Sequence, residues 1–146
     1  MLWIFLIIKI MIKFLDINIK MKFREKILES GTKILLGKNA ENNDELVKKF
    51  EGEKNIIIHT VAPGSPFCVI DNLKPSKEDI QEAGTYCARY SQDWRDNKKD
   101  VHISIFDGKN VSKEKGMKAG MWKVKKSKKI TIKKKEIKEF LSKNSF

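Results

Sequence analysis

Cysteine and histidine are scarce in this sequence, which has two of each among 146 residues. Cys68 and Cys87 have no CxxC partner, so they form neither a zinc site nor a disulfide framework. Both stand in apolar surroundings, where a free cysteine behaves as a small hydrophobe, and a reducing cytoplasm suits them. The sequence also lacks HExxH, P-loop and GxGxxG patterns. We therefore expect no metal, no cofactor and a cytoplasmic location.

Arrangements typical of catalysis are missing as well. His59 follows an apolar run and precedes Pro63, Gly64 and Ser65, which resembles a strand that ends at a functional turn. However, no nucleophile-elbow motif surrounds Ser65, and general acid–base catalysis requires a positioned partner that the sequence does not show. The sequence therefore predicts a protein that is not an enzyme. An enzyme that uses His59 with Ser65 or Asp79 stays open as an alternative hypothesis.

No run of apolar residues is long enough to span a membrane. Residues 1–15 are largely apolar but are interrupted by Lys9 and Lys13, whereas a membrane-spanning helix needs about 20 apolar residues. A signal peptide is not expected either, because no basic stretch precedes the run and no small-residue cleavage site follows it.

Residues 1–20 form an apolar extension that has two interpretations. Its charged residues fall on one helical stripe, at spacings of four, three and four: Lys9, Lys13, Asp16 and Lys20. A helix of that kind can lie on a membrane surface. The alternative, which we favour, is that the segment is not translated and that synthesis starts at Met11 or Met21. We assign residues 21–146 to one domain, the default for a chain of this length.

Acidic residues are few in the last third of the sequence. The whole chain carries 31 Lys+Arg and 19 Asp+Glu, a net charge of +12. Residues 109–143 contain 14 Lys and three Glu, so they hold +11 of this excess, and residues 1–108 hold +1. A general lysine bias would spread the charge along the chain. The segregation instead predicts a surface for polyanions, phosphate backbones first and anionic membranes second.

Apolar periodicity predicts more strands than helices. Apolar alternation or short apolar runs indicate strands at 17–24, 34–36, 56–58, 67–70 and 101–106, and a closing hairpin at 122–132. Steps of three and four indicate a long helix from Ser76 to Trp94 with a capping box of Ser76 and Asp79, and shorter helices at 42–50 (capped near Asn42 or Asn43) and 134–142. The fold class is therefore α+β: a mainly antiparallel sheet covered by one long helix, with short additional helices.

The loop that follows residue 107 places lysines beside glycines. Glycine lets the backbone approach a phosphate, and lysine neutralises its charge. The loop residues are Lys113, Lys115, Gly116, Lys118 and Gly120, and the next strand adds Lys123 and Lys125. Lysines that protect an edge strand from aggregation are the structural alternative, but that role does not account for the glycine-spaced lysines. We therefore predict a phosphate-binding loop and hairpin with a steep salt dependence.

Aromatic residues are few in this basic region. Trp122 is the one ring embedded among the lysines, and Tyr90 and Trp94 fall on the apolar face of the long helix, where core packing is expected. Proteins that bind single strands stack bases on exposed rings. The scarcity of rings favours recognition of folded RNA by its shape and phosphate positions.

Five short motifs occur in a fixed order along residues 22–134. They are Gly37-Lys38-Asn39 after a strand, Asn43-Asp44 in a short helix, a strand ending in His59 before Pro63-Gly64-Ser65, a helix with small residues at 83–91, and Val111, Lys113, Gly116 and Gly120. Together they resemble the RNA-binding (NFACT-R) domain of ribosome quality-control factors. Two positions depart from the family pattern: Ile57-Ile58 replace an aromatic pair, and Pro66 replaces a histidine.

The resemblance implies a non-catalytic RNA-binding protein whose partner is rRNA or tRNA on the ribosome. It adds a second, polar patch to the lysine surface: Lys38, Asn39, His59, Gly64 and Ser65. Large family members also carry an N-terminal domain and coiled coils, so we expect a stand-alone copy without tail synthesis, alone or beside a separate NFACT N-terminal-type protein. A DNA-binding or peripheral membrane protein with the same basic surface is the alternative, although a membrane partner is not expected.

Overall fold

The computed structural model describes residues 2–20 and 22–144, and of residues 14–20 it describes the helical backbone only. The elements in chain order are α1 (Leu2–Lys20), β1 (Arg24–Ile27), β2 (Lys33–Leu36), α2 (Ala40–Phe50), β3 (Ile56–Thr60), β4 (Cys68–Ile70), α3 (Lys77–Arg89), α4 (Gln92–Asn97), β5 (Val101–Asp107), a 3-10 turn (Gly108–Asn110), β6 (Val111–Ser112), β7 (Lys123–Val124), β8 (Lys128–Ile132) and α5 (Lys134–Lys143).

Six strands form one antiparallel sheet in the order β1-β2-β4-β3-β5-β8, and β6 and β7 form a separate two-stranded ribbon. Every neighbouring pair in the sheet is antiparallel, from Arg24 opposite Leu36 in β1–β2 to Val101 opposite Ile132 in β5–β8. The predicted α+β class and the predicted antiparallel sheet are therefore confirmed.

Side-chain alternation divides the core into two layers, because neighbouring residues of a strand point to opposite faces of the sheet. On one side, called the α3 face, Ile58 of β3 packs with Cys87 of α3. On the other side, called the α2 face, Ile57 packs with Leu46 of α2 and Val111 of β6. Burying a large aliphatic side chain of this kind stabilises the fold by about 1.5–3 kcal/mol. Helices thus cover both faces of the sheet, more extensively than one long helix would.

The two cysteines lie in the core of the α3 face, as small buried side chains. Both are free and fully buried, and burial raises the pKa of the Cys87 thiol to about 12 and that of Cys68 well above its ordinary value. The Cys87 thiol donates to the backbone oxygen of Pro66 at 3.4 Å. Within the described part of the chain, no three His, Cys, Asp or Glu side chains are arranged to hold a metal ion.

The long helix expected from Ser76 to Trp94 is two helices in the structure. Its start is as predicted, because Ser76 Oγ accepts a hydrogen bond from Asp79 N at 3.0 Å and Asp79 Oδ2 accepts one from Ser76 N at 3.2 Å. Helix α3 ends at Arg89, since Ser91 Oγ accepts from Trp94 N at 3.1 Å and caps a new helix, α4. Serine competes for backbone donors in this way and so favours caps over helix interiors.

The predicted closing hairpin at 122–132 is wrong. Strand β7 pairs with β6, where Val124 lies opposite Val111, and β8 pairs with β5, where Ile130 lies opposite Ile103. The open edge of β5 offers β8 five residue pairs, including one for the fully buried Ile132, whereas β7 is only two residues long. Burial of the apolar residues of β8 therefore decides the pairing.

The strand expected at 17–24 is wrong except at Arg24, its last residue. Residues 17–20 continue α1, and β1 begins at Arg24; Met21 lies outside the described residues. Once a helix exists, each further residue adds a hydrogen bond without a new nucleation step. Residues 17–20 therefore extend the helix that residues 2–16 have begun. The large apolar side chains between Leu2 and Ile12 are exposed, with Leu2 at 86%. Among the described helices, none combines the length and the apolar character that crossing a membrane requires.

Helix α2 begins earlier than predicted because Asn39, rather than Asn42 or Asn43, is its cap. The Oδ1 atom of Asn39 accepts a hydrogen bond from Asn42 N at 2.9 Å. Asn43 is buried, and its Oδ1 accepts from Phe67 N at 2.9 Å, which ties α2 to the segment entering β4. Gly37 passes so close to Asn43 that a Cβ atom there would overlap the amide oxygen. Glycine is therefore required at that position.

Candidate nucleic-acid interface

A cleft of about 1000 Å³ opens on the α2 face of the sheet. Four stretches of chain supply its walls: residues 37–40 at the start of α2, 59–67 at the end of β3 and after it, 90–95 from the end of α3 into α4, and 119–122 before β7. Strand residues, among them Ser104 and Phe106 of β5, lie between these walls. Clefts that hold small ligands or single chemical groups typically enclose about 300–1,000 Å³.

Cations line this cleft, and among its described lining residues none is an aspartate or a glutamate. The cations are Arg24, Lys38, Arg95 and Lys129. Lys38 and Lys129 form no ion pair with the side chains that the structure describes, and Arg95 meets Asp96 only at 3.9 Å on an exposed surface. Like charges around a concave surface focus the electrostatic field. The cleft therefore attracts anions.

His59 lies in the cleft with its ring stacked on that of Phe67. The ring centroids are 4.3 Å apart and the planes are inclined by 26°. Burial lowers the pKa of His59 below its ordinary value of 6.5, and hydrogen bonds with the backbone of Thr60 and Ser65 oppose this more weakly. The imidazole is therefore neutral at pH 7, and it offers one donor and one acceptor rather than a positive charge.

The turn after β3 is held in place by α4. Gly64 has a φ of +89°, which side chains other than glycine rarely adopt, and its carbonyl oxygen accepts from Gln92 N at 2.8 Å. Ser65 Oγ accepts a hydrogen bond from Thr60 N at 3.1 Å. Gly64 and Ser65 thus determine the shape of this wall.

Residues 113–122, which we call the Lys-rich loop, end in the opposite wall of the cleft. A single carboxylate oxygen holds this loop in place. Asp44 Oδ1 accepts three hydrogen bonds, each of 2.9 Å, from Lys113 Nζ, Gly120 N and Trp122 Nε1. Lys113 Nζ also donates to the backbone oxygen of Lys118 at 3.0 Å and lies 5.1 Å from the centroid of the Trp122 ring. Lys113 is therefore engaged in fastening the Lys-rich loop to α2.

The remaining lysines of this region are exposed. Lys115, Lys118 and Lys125 form no ion pair with any residue that the structure describes. Lys123 Nζ lies 2.8 Å from Glu114 Oε1, a contact that raises the pKa of Lys123 and lowers that of Glu114. Both partners are exposed, so solvent screens the pair and it adds little to stability. Lys115, Lys118 and Lys125 are thus free to meet a polyanion.

Residues 22–126 match the sequence model of one protein family, described as the NFACT protein RNA binding domain. The chain belongs to this family. The matched range includes all four walls of the cleft and the whole Lys-rich loop, and it confirms the resemblance drawn from the ordered motifs.

Relatives of this NFACT RNA-binding domain are longer proteins. The chain is 32% identical over 114 residues to the Rqc2 homolog RqcH of Streptococcus suis (strain 05ZYH33), a match over 70% of this chain and 20% of that protein. It is 26% identical over 76 residues to the archaeal Rqc2 homolog aRqcH of Methanocaldococcus jannaschii, a match over 51% of this chain and 11% of that protein. The chain thus matches a fifth or less of the length of these curated relatives.

A solved structure shows the same fold. The C-terminal part of the fibronectin/fibrinogen-binding protein from Streptococcus suis superposes with a TM-score of 0.70 at 27% sequence identity. The superposition covers 80% of this chain and 48% of that one.

The fold brings the two predicted patches of this NFACT RNA-binding domain to one place. Half of the predicted site residues line the cleft: Lys38, Asn39, His59, Gly64, Ser65 and Gly120. The others lie outside its lining: Lys113, Lys115, Gly116, Lys118, Lys123 and Lys125. Because the Lys-rich loop ends in the cleft wall, the second group continues the basic surface of the first.

The sequence analysis did not find several residues that the NFACT RNA-binding domain places in its cleft. Arg24, Arg95, Phe106 and Lys129 are not among the predicted site residues, and Tyr90, expected in the core, is half-buried and lines the cleft. Trp94 is buried, as predicted. The rings of the cleft come mostly from outside the basic segment, so counting rings within that segment could not reveal them.

Replacing Asp44 with alanine is expected to release the Lys-rich loop, because three donors then lose their common acceptor. We expect the Gly120 amide to exchange its hydrogen faster and the free energy of unfolding to fall by about 1–3 kcal/mol. Hydrogen exchange followed by NMR measures the first effect, and urea titration measures the second. Glu45→Ala, at the next and exposed position of α2, is the control. Unchanged exchange at Gly120 in Asp44→Ala would contradict this role.

Acidification is expected to destabilise the protein through His59. The native pKa of His59 lies below the unfolded value of 6.5, so between these two values the unfolded state binds a proton that the native state does not. Stability is therefore full above pH 6.5 and falls as the pH drops through this window. Melting temperatures between pH 7.5 and pH 5 measure the loss, and His59→Gln should reduce it. The idea fails if His59→Gln keeps the whole pH dependence.

Proposed function

We propose that this chain is a non-catalytic RNA-binding module that binds rRNA or tRNA in a ribosome-associated setting. The observation that carries the proposal is a cleft with four cations and no carboxylate among its described lining residues, in a member of an RNA-binding domain family. The cleft and the Lys-rich loop together form its binding surface.

Charge and geometry support a phosphate-binding role for this surface. Lys115 and Lys118 lie in the loop whose other end forms a cleft wall, and Lys38 stands at the facing start of α2. Lysine contacts to phosphates fix the position of a nucleic acid without reading its sequence. Lys113, which shares a hydrogen bond with Asp44, holds the loop in position and reaches a phosphate only in competition with that carboxylate.

The ribosome setting is supported by the relatives. Two of them are Rqc2 homologs, and the ordered motifs resemble the RNA-binding part of ribosome quality-control factors. The chain matches only a fraction of their length, so the proposal covers RNA binding in the cytoplasm and not tail synthesis. A separate protein with an NFACT N-terminal domain is included among the proposed partners.

Affinity for tRNA and ribosomes is expected to fall steeply with salt, because binding releases counterions from the RNA. Replacing Lys38, Lys115 and Lys118 with alanine should weaken binding and reduce the slope of log K against log salt by about 0.7–0.9 for each lost phosphate contact. Fluorescence anisotropy across a salt series measures both quantities.

The matched control for this experiment is Lys54, Lys74 and Lys77 replaced with alanine, which removes the same charge away from the cleft and the Lys-rich loop. Weak, equal binding to RNA and duplex DNA that neither triple variant changes would mean that the charge is generic.

Membrane-surface binding is a second candidate function, and the exposure of α1 favours it. Apolar side chains from Leu2 to Ile12 are exposed, and Lys9 accompanies them. Buried apolar area and attraction to anionic lipids together bind such helices to a bilayer surface.

The wild-type protein should then sediment with phosphatidylserine vesicles, and a variant with Phe5, Ile8 and Ile12 replaced by glutamate should stay in the supernatant while it binds tRNA as before. A wild-type protein that does not sediment with these vesicles would exclude this candidate.

A further inference from the structure

The chain has three arginines and 28 lysines; two of the arginines lie against one tyrosine, and the third lines the same cleft as that tyrosine. The guanidinium carbons of Arg24 and Arg89 each lie 4.2 Å from the centroid of the Tyr90 ring. Arg95 and Tyr90 both line the cleft and a smaller neighbouring pocket of about 330 Å³, whereas Arg24 lines the cleft alone and Arg89 lines the neighbouring pocket alone. Arg24 comes from β1, so the fold brings it to Tyr90, whereas Arg89 and Arg95 lie within five residues of Tyr90 in the sequence.

These guanidinium groups are available to a ligand. Within the described chain, none of the three side chains donates a hydrogen bond, and their one ion pair is the 3.9 Å contact between Arg95 and Asp96. Arginine presents a planar fork of donors that binds a phosphate in a bidentate manner, and it stacks on aromatic rings, whereas lysine is a flexible point charge. Stacking on Tyr90 fixes the orientation of Arg24 and Arg89, which prepares them for a planar contact.

The rest of the cleft is suited to a nucleobase. The half-buried rings of His59 and Trp122 line it, and Phe67 supports His59 from behind. Ser104, opposite His59 in the β3–β5 pairing, and Gln92 also line it, and neither side chain has a hydrogen-bond partner in the described structure. A neutral histidine, a hydroxyl and an amide can read the edge of a base, and the rings can stack on its face.

The size of the cleft determines which form of RNA can enter. Bases inside a duplex are stacked and paired, and a protein reaches their faces only when a nucleotide is unpaired or extruded. A cleft of about 1000 Å³ holds a nucleotide and excludes a helix.

We propose that the cleft holds one unpaired nucleotide of the bound RNA, with its base against His59 and Trp122 and its phosphate bound by the arginines around Tyr90. This inference rests on the proposed RNA-binding function and adds the ligand class to it. It also replaces recognition by shape alone, which the scarcity of rings in the basic segment had suggested.

Two RNA hairpins test the inference: a fully paired stem, and the same stem with one bulged 2-aminopurine nucleotide. The full-length protein should bind the bulged hairpin more tightly, by about five- to hundred-fold if one base stacks on a ring. The 2-aminopurine fluorescence should fall on binding, which reports stacking independently of affinity.

Charge-conserving variants locate the phosphate site. Arg24, Arg89 and Arg95 replaced by lysine should remove the preference for the bulge, whereas Lys115, Lys118 and Lys125 replaced by arginine should keep it. Thermal melting checks the fold of each variant. If the triple arginine variant is unfolded, Arg95→Lys alone decides, because this side chain is 72% exposed and does not stack on Tyr90; it should lower the preference in part.

Each outcome separates the inference from the function on which it rests. Equal affinity of the wild-type protein for both hairpins, with salt-sensitive binding intact, would overturn the inference and leave RNA binding standing. A bulge preference that survives in the folded arginine variants would overturn the phosphate assignment. Failure to bind either hairpin, tRNA or ribosomes would overturn the proposed function itself.

Discussion

Two neighbouring side chains of α2 hold the cleft together. Asn43 accepts a hydrogen bond from the backbone of Phe67 on one side, and Asp44 accepts three from the Lys-rich loop on the other. Successive residues of a helix point in directions about 100° apart, so one short stretch of helix reaches both walls. The apolar side of α2, with Leu46 packed against Ile57, fixes the helix on the sheet. The shape of the cleft therefore depends on core packing first and on this Asn-Asp pair second.

Much of the fold could be predicted because local signals agreed with it. The capping box at Ser76 depends on residues three positions apart, and the buried strands follow from apolar periodicity. The errors arose where a tertiary contact decided between local alternatives. Ile132 pairs β8 with β5 rather than with the adjacent β7, and Ser91 ends a helix whose apolar steps continue to Trp94. Neither the open edge of β5 nor the cap is visible in periodicity.

The residues that line the cleft could be predicted in part, for the same physical reason. Lys38, His59 and Gly64 belong to ordered motifs, so resemblance could find them, and the lysine excess could be read from charge alone. Asn43 was seen as a possible cap, although it is a buried tie between segments. Arg24 stands far from Tyr90 in sequence, and only the fold brings them together. The sequence shows that arginine is rare beside lysine, but this rarity does not indicate that the arginines lie close together in the fold.

The two thiols are buried on the side of the sheet opposite the cleft, so their rate of chemical modification reports how often the domain opens there. The thiolate is the reactive form of cysteine, and with a pKa of about 12 the native Cys87 is almost entirely protonated at neutral pH. Alkylating reagents therefore modify it only when α3 separates from the sheet, and the labelling rate measures how often this opening occurs. A ligand that binds only the native state lowers that frequency by mass action. Occupation of the cleft can thus be followed by the slower labelling of a side chain that the ligand never touches.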